Sequence, residues 1–169
     1  MRSINKTPSL FITLLLISLP YAAAALESDV DKPIEVEADS VEIDEGKNTS
    51  TYKGNVVLTQ GSIKLTADKV TVIQHENKSN QVKAFGNPAR ITQQASGSKK
   101  PVTGRGSRIE YDVDSDLMYL IGNAVLTQDS DTFKSDRIAY DRKKSLIKGG
   151  TSAKGSQRVK VTIKSNKKN

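Results

Sequence analysis

The stretch Gly54-Asn55-Val56-Val57-Leu58-Thr59-Gln60 returns further along the chain as Gly122-Asn123-Ala124-Val125-Leu126-Thr127-Gln128. The same offset carries Val41 onto Ile109, so a whole unit recurs and not one short sequence. Repetition of this kind is typical of proteins that stack one supersecondary unit on the next. We therefore interpret the chain as stacked β units. The alternative is a chance resemblance between strands that reuse Val, Thr and Gly.

A shorter repeat lies inside the first one. Four subunits of about thirty residues each begin with a small or polar pair, one further residue and a β-branched residue, at 38–41, 67–70, 106–109 and 135–138. A glycine-containing pair follows in each subunit, namely Gly54-Asn55, Gly86-Asn87, Gly122-Asn123 and Gly149-Gly150. Because Gly and Asn tolerate positive φ, these pairs are interpreted as tight β-turns.

Alternation of apolar and polar residues predicts strands in the segments 34–38, 41–43, 63–67, 70–72, 109–113 and 159–163. Such alternation gives each strand one apolar face. No segment after residue 25 has a sustained helical stripe. Packing the apolar faces of twisted sheets together gives a sandwich or a jelly roll. The sequence therefore predicts an all-β, antiparallel fold.

Polar stretches separate the predicted strands. Residues 44–48 and 75–80 are predicted hairpin turns, and residues 93–101 form a longer polar stretch between the two halves of the repeat. One interpretation of the longer stretch is a linker between two domains. Each half has too few apolar residues to bury a core alone, so a core shared by both halves is favoured.

The N-terminus has the pattern of a cleaved signal peptide. Arg2 and Lys6 form a short basic region, and an apolar run follows from Leu10 to Leu19. Pro20 ends that run, and the small residues 22–25 fit cleavage after Ala24 or Ala25. An uncleaved anchor is disfavoured because the run is far shorter than the roughly twenty residues that span a bilayer. The chain is expected to be exported.

Composition narrows the compartment and the partners. An exported chain without cysteine cannot rely on disulfides, which favours a bacterial periplasm over a eukaryotic extracellular space. All 19 acidic residues lie between residues 26 and 141, whereas residues 142–169 hold ten basic residues and no acidic one. This basic tail either meets phosphate-bearing partners or is a solvated terminus. With few aromatics and no recognised motif, nucleic acid is not expected as a partner.

No catalytic or metal-binding constellation is present in the sequence. His75 is the single histidine and lies in a polar stretch. Residues 112–116 resemble the start of a calcium loop, but the required glycine and glutamate are missing further on. Ser130 has no general base placed to activate it. We therefore expect neither enzyme activity nor a cofactor nor a metal site.

The two ends of the predicted sheet carry opposite charges. Glu35 and Glu37 lie in the first strand, and Lys160 and Lys164 lie in or beside the last one. A repeat without evident caps leaves open sheet edges, which invite pairing with another chain. Opposite charges at opposite ends predict a heterologous, head-to-tail contact that can propagate.

Several stretches together resemble the OstA-like family of periplasmic lipopolysaccharide-transport proteins. After the signal peptide these stretches are Asp31-Lys32-Pro33-Ile34, Ala38-Asp39, the segment 52–61, Ile63-Lys64-Leu65-Thr66-Ala67-Asp68-Lys69-Val70 and Gly122-Asn123-Ala124-Val125-Leu126. The resemblance covers the chain except for the signal peptide and the basic tail. It implies three regions: a signal peptide over 1–25, an OstA-like β-jelly roll over 26–150, and a last strand with a basic tail over 151–169.

The resemblance also implies a fold and a function. Family members form an open antiparallel β-jelly roll, V-shaped in section, which associates end to end and has no chemistry of its own. They bridge the inner-membrane transport complex and the outer-membrane translocon, and they shelter the acyl chains of lipopolysaccharide in an apolar groove. The first joint, to the inner-membrane complex, then falls at the N-terminal edge and the second, to the translocon, at the C-terminal edge. Predicted partner-binding residues are Ile34, Val36, Ala38, Val159, Val161 and Ile163.

Ten apolar residues are the candidates for lining such a groove. They are Ile34, Val36, Ile63, Leu65, Val72, Phe85, Ile91, Ile109, Tyr111 and Val113. For each of them, ordinary core packing is the alternative, because core and groove share one face. Two other classes of protein stay open: a structural or adaptor β-solenoid with a dry core, and the membrane-anchored partner of the same pathway.

Overall fold

Ten β-strands form one antiparallel sheet in a computed structural model that describes residues 29, 32–75, 79–94 and 100–164. The strands are β1 (Glu35–Glu37), β2 (Ser40–Asp44), β3 (Thr49–Gln60), β4 (Ile63–Ile73), β5 (Gln81–Gln93), β6 (Val102–Asp112), β7 (Leu117–Gln128), β8 (Asp131–Asp141), β9 (Leu146–Gly149) and β10 (Lys160–Thr162). From β3 to β8 each strand pairs with the next, β1 and β2 both pair with β3, and β9 and β10 both pair with β8. The predicted all-β, antiparallel fold is confirmed.

The long strands bend near their middles. All five pairings between consecutive strands from β3 to β8 slip in register there, for example between Lys53 and Val56 and between Ile121 and Ala124. Bulges that add a residue to one strand bend it and increase its twist. A line of such bulges folds the sheet into two halves that face each other.

We call these halves leaf 1 and leaf 2. Leaf 1 consists of residues 40–44, 49–53, 69–73, 81–85, 108–112, 117–121, 137–141 and 146–149. Leaf 2 consists of residues 35–37, 56–60, 63–67, 89–93, 102–106, 124–128, 131–135 and 160–162. The free margin of each leaf, opposite the bend, is formed by the turns and connections between the long strands.

The Gly-Asn pairs lie at the bend and not between strands. Gly54-Asn55 is inside β3 and Gly122-Asn123 is inside β7, and all four residues have positive φ. Gly86-Asn87 is inside β5, whereas Gly149-Gly150 ends β9 and opens a 3₁₀ turn over Gly150–Ala153. The interpretation of the three Gly-Asn pairs as β-turns is therefore wrong. Bulges and tight turns both use left-handed backbone, so the residue types alone fit either.

Residues that begin two of the four subunits contact the segments with the Gly-Asn pairs at the bend. Asp39 lies between β1 and β2, where its backbone N–H donates to the Gly54 carbonyl at 3.0 Å and its carboxylate accepts from Asn55 Nδ2 at 3.0 Å. Ser107 Oγ donates to the carbonyl of Ile121, next to Gly122, at 3.1 Å. In two of the four subunits, residues of both repeated sets therefore meet at the bend of the sheet.

Two of the polar stretches are predicted hairpin turns. Residues 44–48 turn the chain between β2 and β3, and the Asp44 carboxylate accepts the Lys47 backbone N–H at 3.0 Å. Residues 74–80 connect β4 with β5, whose ends pair through Ile73 and Gln81. The predicted hairpin turn at 44–48 is confirmed, and β4 and β5 pair on either side of the second predicted turn, of which residues 76–78 lie outside the described residues. β5 and β6 pair as far as Gln93 and Val102, so the sheet continues across the stretch 93–101.

The core lies between the two leaves. Leu120 of leaf 1 and Ile91 of leaf 2 both approach Gly104, where an added Cβ would lie 3.0 Å from atoms of each. Eighteen buried apolar residues form one cluster that draws on every long strand. The leaves are thus in direct contact in the middle of the molecule.

The bend gives a first testable prediction, on folding stability. Gly54→Ala is expected to lower the free energy of unfolding by about 2 kcal/mol, because Gly54 has a φ of 79° and an added Cβ would overlap the Asp39 carboxylate. Gly46→Ala is the matched control, since its Cβ would come no closer than 3.5 Å to any atom. Urea denaturation measures both. Equal stability of the two variants would contradict the role assigned to Gly54.

Candidate functional site

Rows of mostly apolar residues cross the inner faces of both leaves. On leaf 2 one row passes through Val36, Leu58, Leu65, Ile91, Gly104, Leu126, Phe133 and Val161. On leaf 1 two rows pass through Val41, Tyr52, Val70, Ala84, Ile109, Leu120, Ile138 and Gly149, and through Ile43, Ser50, Val72, Val82, Tyr111, Met118, Tyr140 and Ile147. We call these the inner rows. Because cross-strand neighbours follow one another perpendicular to the strands, each row leads from one sheet edge to the other.

The inner rows are buried in the middle and exposed at their ends. Leu120 and Ile138 have no exposed surface, whereas Val41 is 55% and Ile43 64% exposed at the edge formed by β1 and β2. At the opposite edge Val161 is 44% exposed. The apolar path therefore reaches the surface at both sheet edges.

The candidate lipid-lining residues lie in three environments. Ile63, Leu65, Ile91, Ile109 and Tyr111 are buried in the core between the leaves. Val36, Val72 and Val113 are half-buried and pack against that core, and Ile34 is exposed beside β1. Nine of the ten residues thus lie on the inner side or at an edge. Contact of any of them with lipid stays a prediction.

Phe85 is placed differently from the expectation. Its neighbour Ala84 is fully buried in an inner row, so Phe85, one residue further along β5, points to the outer face and is 37% exposed. The ammonium of Lys69 lies 6.0 Å from its ring centroid. Phe85 is therefore not an inner lining residue of the groove in this structure.

Much of the inner surface was missing from the sequence-based set. The omitted buried residues include Val56, Leu58, Val82, Met118, Leu120, Leu126, Ile138 and Tyr140. Residues 117–121 are apolar or aromatic throughout, so alternation gives no inner face there. The long repeat carries a signal for part of the set, because it places Val56 and Leu58 in register with Ala124 and Leu126.

Both sheet edges expose apolar side chains. Ile34, Val41 and Ile43 are exposed near one edge, and Leu146, Val159, Val161 and Ile163 near the other. Of the predicted partner-binding residues, Ala38 is also exposed and Val36 is half-buried. Glu35 and Glu37 lie on β1, while Lys160 lies on β10. The edges therefore combine open backbone, apolar surface and opposite charges.

A buried ion-pair cluster joins the margins of the two leaves. Arg142 follows β8 at the margin of leaf 1, and its side chain is only 7% exposed. Its guanidinium lies 2.9 Å from an Asp116 carboxylate oxygen and 3.4 Å from one of Asp29. The Tyr111 hydroxyl donates to Asp116 at 2.9 Å and accepts from Arg142 at 3.2 Å.

The remaining partners of Asp29 belong to leaf 2. Its carboxylate accepts from the Ser62 backbone N–H at 2.7 Å, from Ser62 Oγ at 2.9 Å and from Gln93 Nε2 at 2.7 Å. Burial favours the neutral acid, but these hydrogen bonds and the Arg142 charge hold the pKa of Asp29 below its usual value. Asp29 is therefore a carboxylate that bridges the two margins.

The described ranges offer no metal centre and no membrane-spanning helix. No group of three or more His, Cys, Asp or Glu side chains among these residues is arranged to hold an ion. No helix there is long and apolar enough to cross a bilayer. The site consists of the inner rows, the two edges and the margin cluster.

These features define an open antiparallel β-jelly roll of stacked repeats, with an apolar interior that reaches both sheet edges. Residues 35–146 match the family described as LptA/(LptD N-terminal domain) LPS transport protein. The chain belongs to this family.

Named relatives agree with the family match. The chain is 36% identical over 176 aligned positions to the lipopolysaccharide export system protein LptH of Pseudomonas aeruginosa, covering 99% of each chain. It is 38% identical over 141 positions to LptA of Escherichia coli K12, covering 80% of this chain and 76% of that one. The crystal structure of LptH from Pseudomonas aeruginosa superposes with a TM-score of 0.75 at 33% identity, over 82% of this chain and 100% of that one. That structure is described as the periplasmic component of a lipopolysaccharide transport device.

Proposed function

We propose that the chain is a periplasmic lipopolysaccharide-binding bridge protein, which carries the lipid from the inner to the outer membrane and shelters its acyl chains between the leaves. The observation that supports this most is the course of the inner rows, which are apolar except at Ser50 and two glycines and reach the surface at both edges. Each methylene removed from water stabilises the bound lipid by about 0.8 kcal/mol. A path of this kind lowers the cost of moving acyl chains through an aqueous compartment.

The edges are the proposed joints of the bridge. β1 and β2 leave one edge of the sheet unpaired within the described chain, and β9 and β10 leave the other. A second chain that adds its β1 and β2 beside β9 and β10 continues both leaves and all inner rows. In the same contact Lys160 approaches Glu37 of the next copy, because both lie on outer rows of leaf 2. The N-terminal edge is proposed to meet the inner-membrane complex and the C-terminal edge the outer-membrane translocon.

The direct contact between the leaves sets a condition on transport. The interior has no room beside Gly104, so acyl chains enter there only if the leaves separate. Separation about a line of bulges keeps the strand pairing within each leaf intact. A role as an adaptor with a permanently dry core predicts that the leaves stay together.

Photo-crosslinking tests the transport role. A photoreactive amino acid at Phe133 or Leu120, on the inner rows, is expected to capture lipopolysaccharide in living cells. The matched control is Tyr119, which lies on the outer face one residue before Leu120. The Arg137 guanidinium carbon lies 4.5 Å from the centroid of its ring. Capture at the inner positions should exceed capture at Tyr119 by at least about tenfold, as apolar burial of acyl chains requires. Equal capture, or none at any inner position in a folded chain, would favour the dry-core adaptor.

A further inference from the structure

The Asp29 carboxylate occupies an anion site that is formed by hydrogen-bond donors of both leaves. Four donors point at it: the Ser62 backbone N–H, the Ser62 hydroxyl, the Gln93 side-chain amide and the Arg142 guanidinium. Three of the four distances are between 2.7 and 2.9 Å, and Arg142 Nη2 lies at 3.4 Å. A set of N–H and O–H donors with one guanidinium is the chemistry that also recognises phosphate oxygens.

The site belongs to both leaves and lies at the groove opening. Ser62 is in the turn between β3 and β4, and Gln93 ends β5, both at the margin of leaf 2. Arg142 follows β8 at the margin of leaf 1. Because the bend closes the opposite side, these margins are the two borders of the opening. A group bound here therefore lies where a head group would emerge from the interior.

Contacts within leaf 1 are sufficient to hold the Arg142 guanidinium in position. Asp116 and the Tyr111 hydroxyl both contact its Nη1 atom, and the guanidinium carbon lies 5.6 Å from the Tyr111 ring centroid. Nη2 faces Asp29, and the buried Nε has no hydrogen-bond partner among the described residues. The guanidinium thus keeps its position and unused donor capacity if the Asp29 carboxylate leaves.

We propose that this anion site binds a phosphate group of the lipid whose acyl chains enter between the leaves, and that Asp29 fills the site until the phosphate displaces it. The assignment rests on the proposed function for the lipid, but the anion site itself does not. Displacement of Asp29 removes a residue that contacts both margins at this site, so binding of the head group and opening of the groove are coupled.

Inorganic phosphate tests the anion site without any lipid. In the full chain carrying Asp29→Ala, the backbone amide signal of Ser62 is expected to shift on titration with inorganic phosphate, at concentrations where Asp29 still fills the site of the unsubstituted chain and its Ser62 signal does not shift. Asp44→Ala is the matched control, since it removes another carboxylate that accepts a backbone N–H at a margin. An Asp29→Ala chain whose Ser62 amide does not respond overturns the proposal.

Paired lipids test the assignment to a lipid phosphate. Asp29→Ala should gain about tenfold more affinity for a phosphorylated lipid A than for the dephosphorylated lipid, because loss of the bridge eases opening for both lipids but frees the donors only for a phosphate. An equal gain for both lipids would make Asp29 a mere barrier and overturn the phosphate assignment. If neither lipid binds any variant, the lipid assignment and the proposed function both fail, whereas the Ser62 response to inorganic phosphate is independent of that result.

A variant that lacks one of the four hydrogen-bond donors distinguishes loss of the anion site from misfolding. Arg142→Gln leaves Asp116 buried without its cation and destabilises the chain, so Gln93→Leu in the Asp29→Ala background is the better choice. It removes one donor and keeps the side-chain volume. We expect it to weaken the Ser62 response to phosphate several-fold while the urea midpoint stays within the range of Asp29→Ala. An unchanged response would overturn the four-donor site.

Discussion

Gly104→Val is expected to lower the free energy of unfolding by about 3 kcal/mol, because the new side chain enters the contact between the leaves. An added Cβ alone lies 3.0 Å from Ile91 Cγ2 and 3.0 Å from Leu120 Cδ1, before any further methyl group is placed. Leu120 is fully buried, so it cannot move outward to make room. The measurement is urea denaturation, which reports the cost directly.

A double-mutant cycle makes this result specific to the leaf contact. Leu120→Ala alone should cost about 3 kcal/mol through the cavity it leaves. Combined with Gly104→Val it should cost clearly less than the sum, because the valine fills part of that cavity. Leu58→Ala is the control partner: it lies three strands from Gly104 on the same leaf, about 14 Å away. Additive costs for Gly104 with Leu120 would contradict the contact between the leaves.

Alternation predicted segments of β1, β2, β4, β6 and β10, because the pattern is local, and it predicted no segment of the other five strands. Ile63 to Ala67 and Ile109 to Val113 alternate, and both segments lie in or at the end of strands with buried inner positions. Alternation is informative where one face meets the core and the other meets water. Residues 117–121 do not alternate, because apolar side chains occupy both faces of β7 there. Inner residues such as Met118 and Leu120 were missed for that reason.

The bend could not be distinguished from a set of turns by local sequence. Gly54-Asn55 requires positive φ in either case, and it breaks the strand pattern in either case. The pairing across the sheet distinguishes a bend from a turn. Lys53 pairs with Lys69 of β4, and after the slip in register Val56 pairs with Ala67 of the same strand. Phe85 was assigned to the inner face because the register slip that follows it cannot be read from its own segment.

No sequence pattern predicted the ion-pair cluster of Asp29, Tyr111, Asp116 and Arg142 at the margins. Its ion pair joins Asp29 to Arg142, which are separated by 113 residues, and no motif links them. Single Asp, Ser, Gln and Arg residues in polar stretches are normally surface residues. Their convergence depends on the bend, which brings the two margins of one sheet together. The candidate groove follows from strand pattern and repeat, whereas the anion site needs the folded chain.

End-to-end association is the second large effect to test, and we expect single charges at the edges to abolish it. Val161→Asp places a carboxylate on the exposed end of the leaf-2 row at the β10 edge, and Ile43→Asp does so on leaf 1 at the β2 edge. In a joined edge the charge is buried without a partner, which weakens each contact by about 3 kcal/mol, or roughly a hundredfold in Kd. Both residues are largely exposed in the single chain, so folding should be little affected.

Mixing the two variants distinguishes a head-to-tail contact from a symmetric one. Each variant alone should sediment as a monomer at concentrations where the unsubstituted chain associates. A mixture should form a dimer and nothing larger, because the intact β1 and β2 edge of Val161→Asp meets the intact β9 and β10 edge of Ile43→Asp. A symmetric contact uses one edge twice, so at least one variant would then still associate with itself. Phe85→Asp on the outer face of a central strand is the control, and it should associate like the unsubstituted chain.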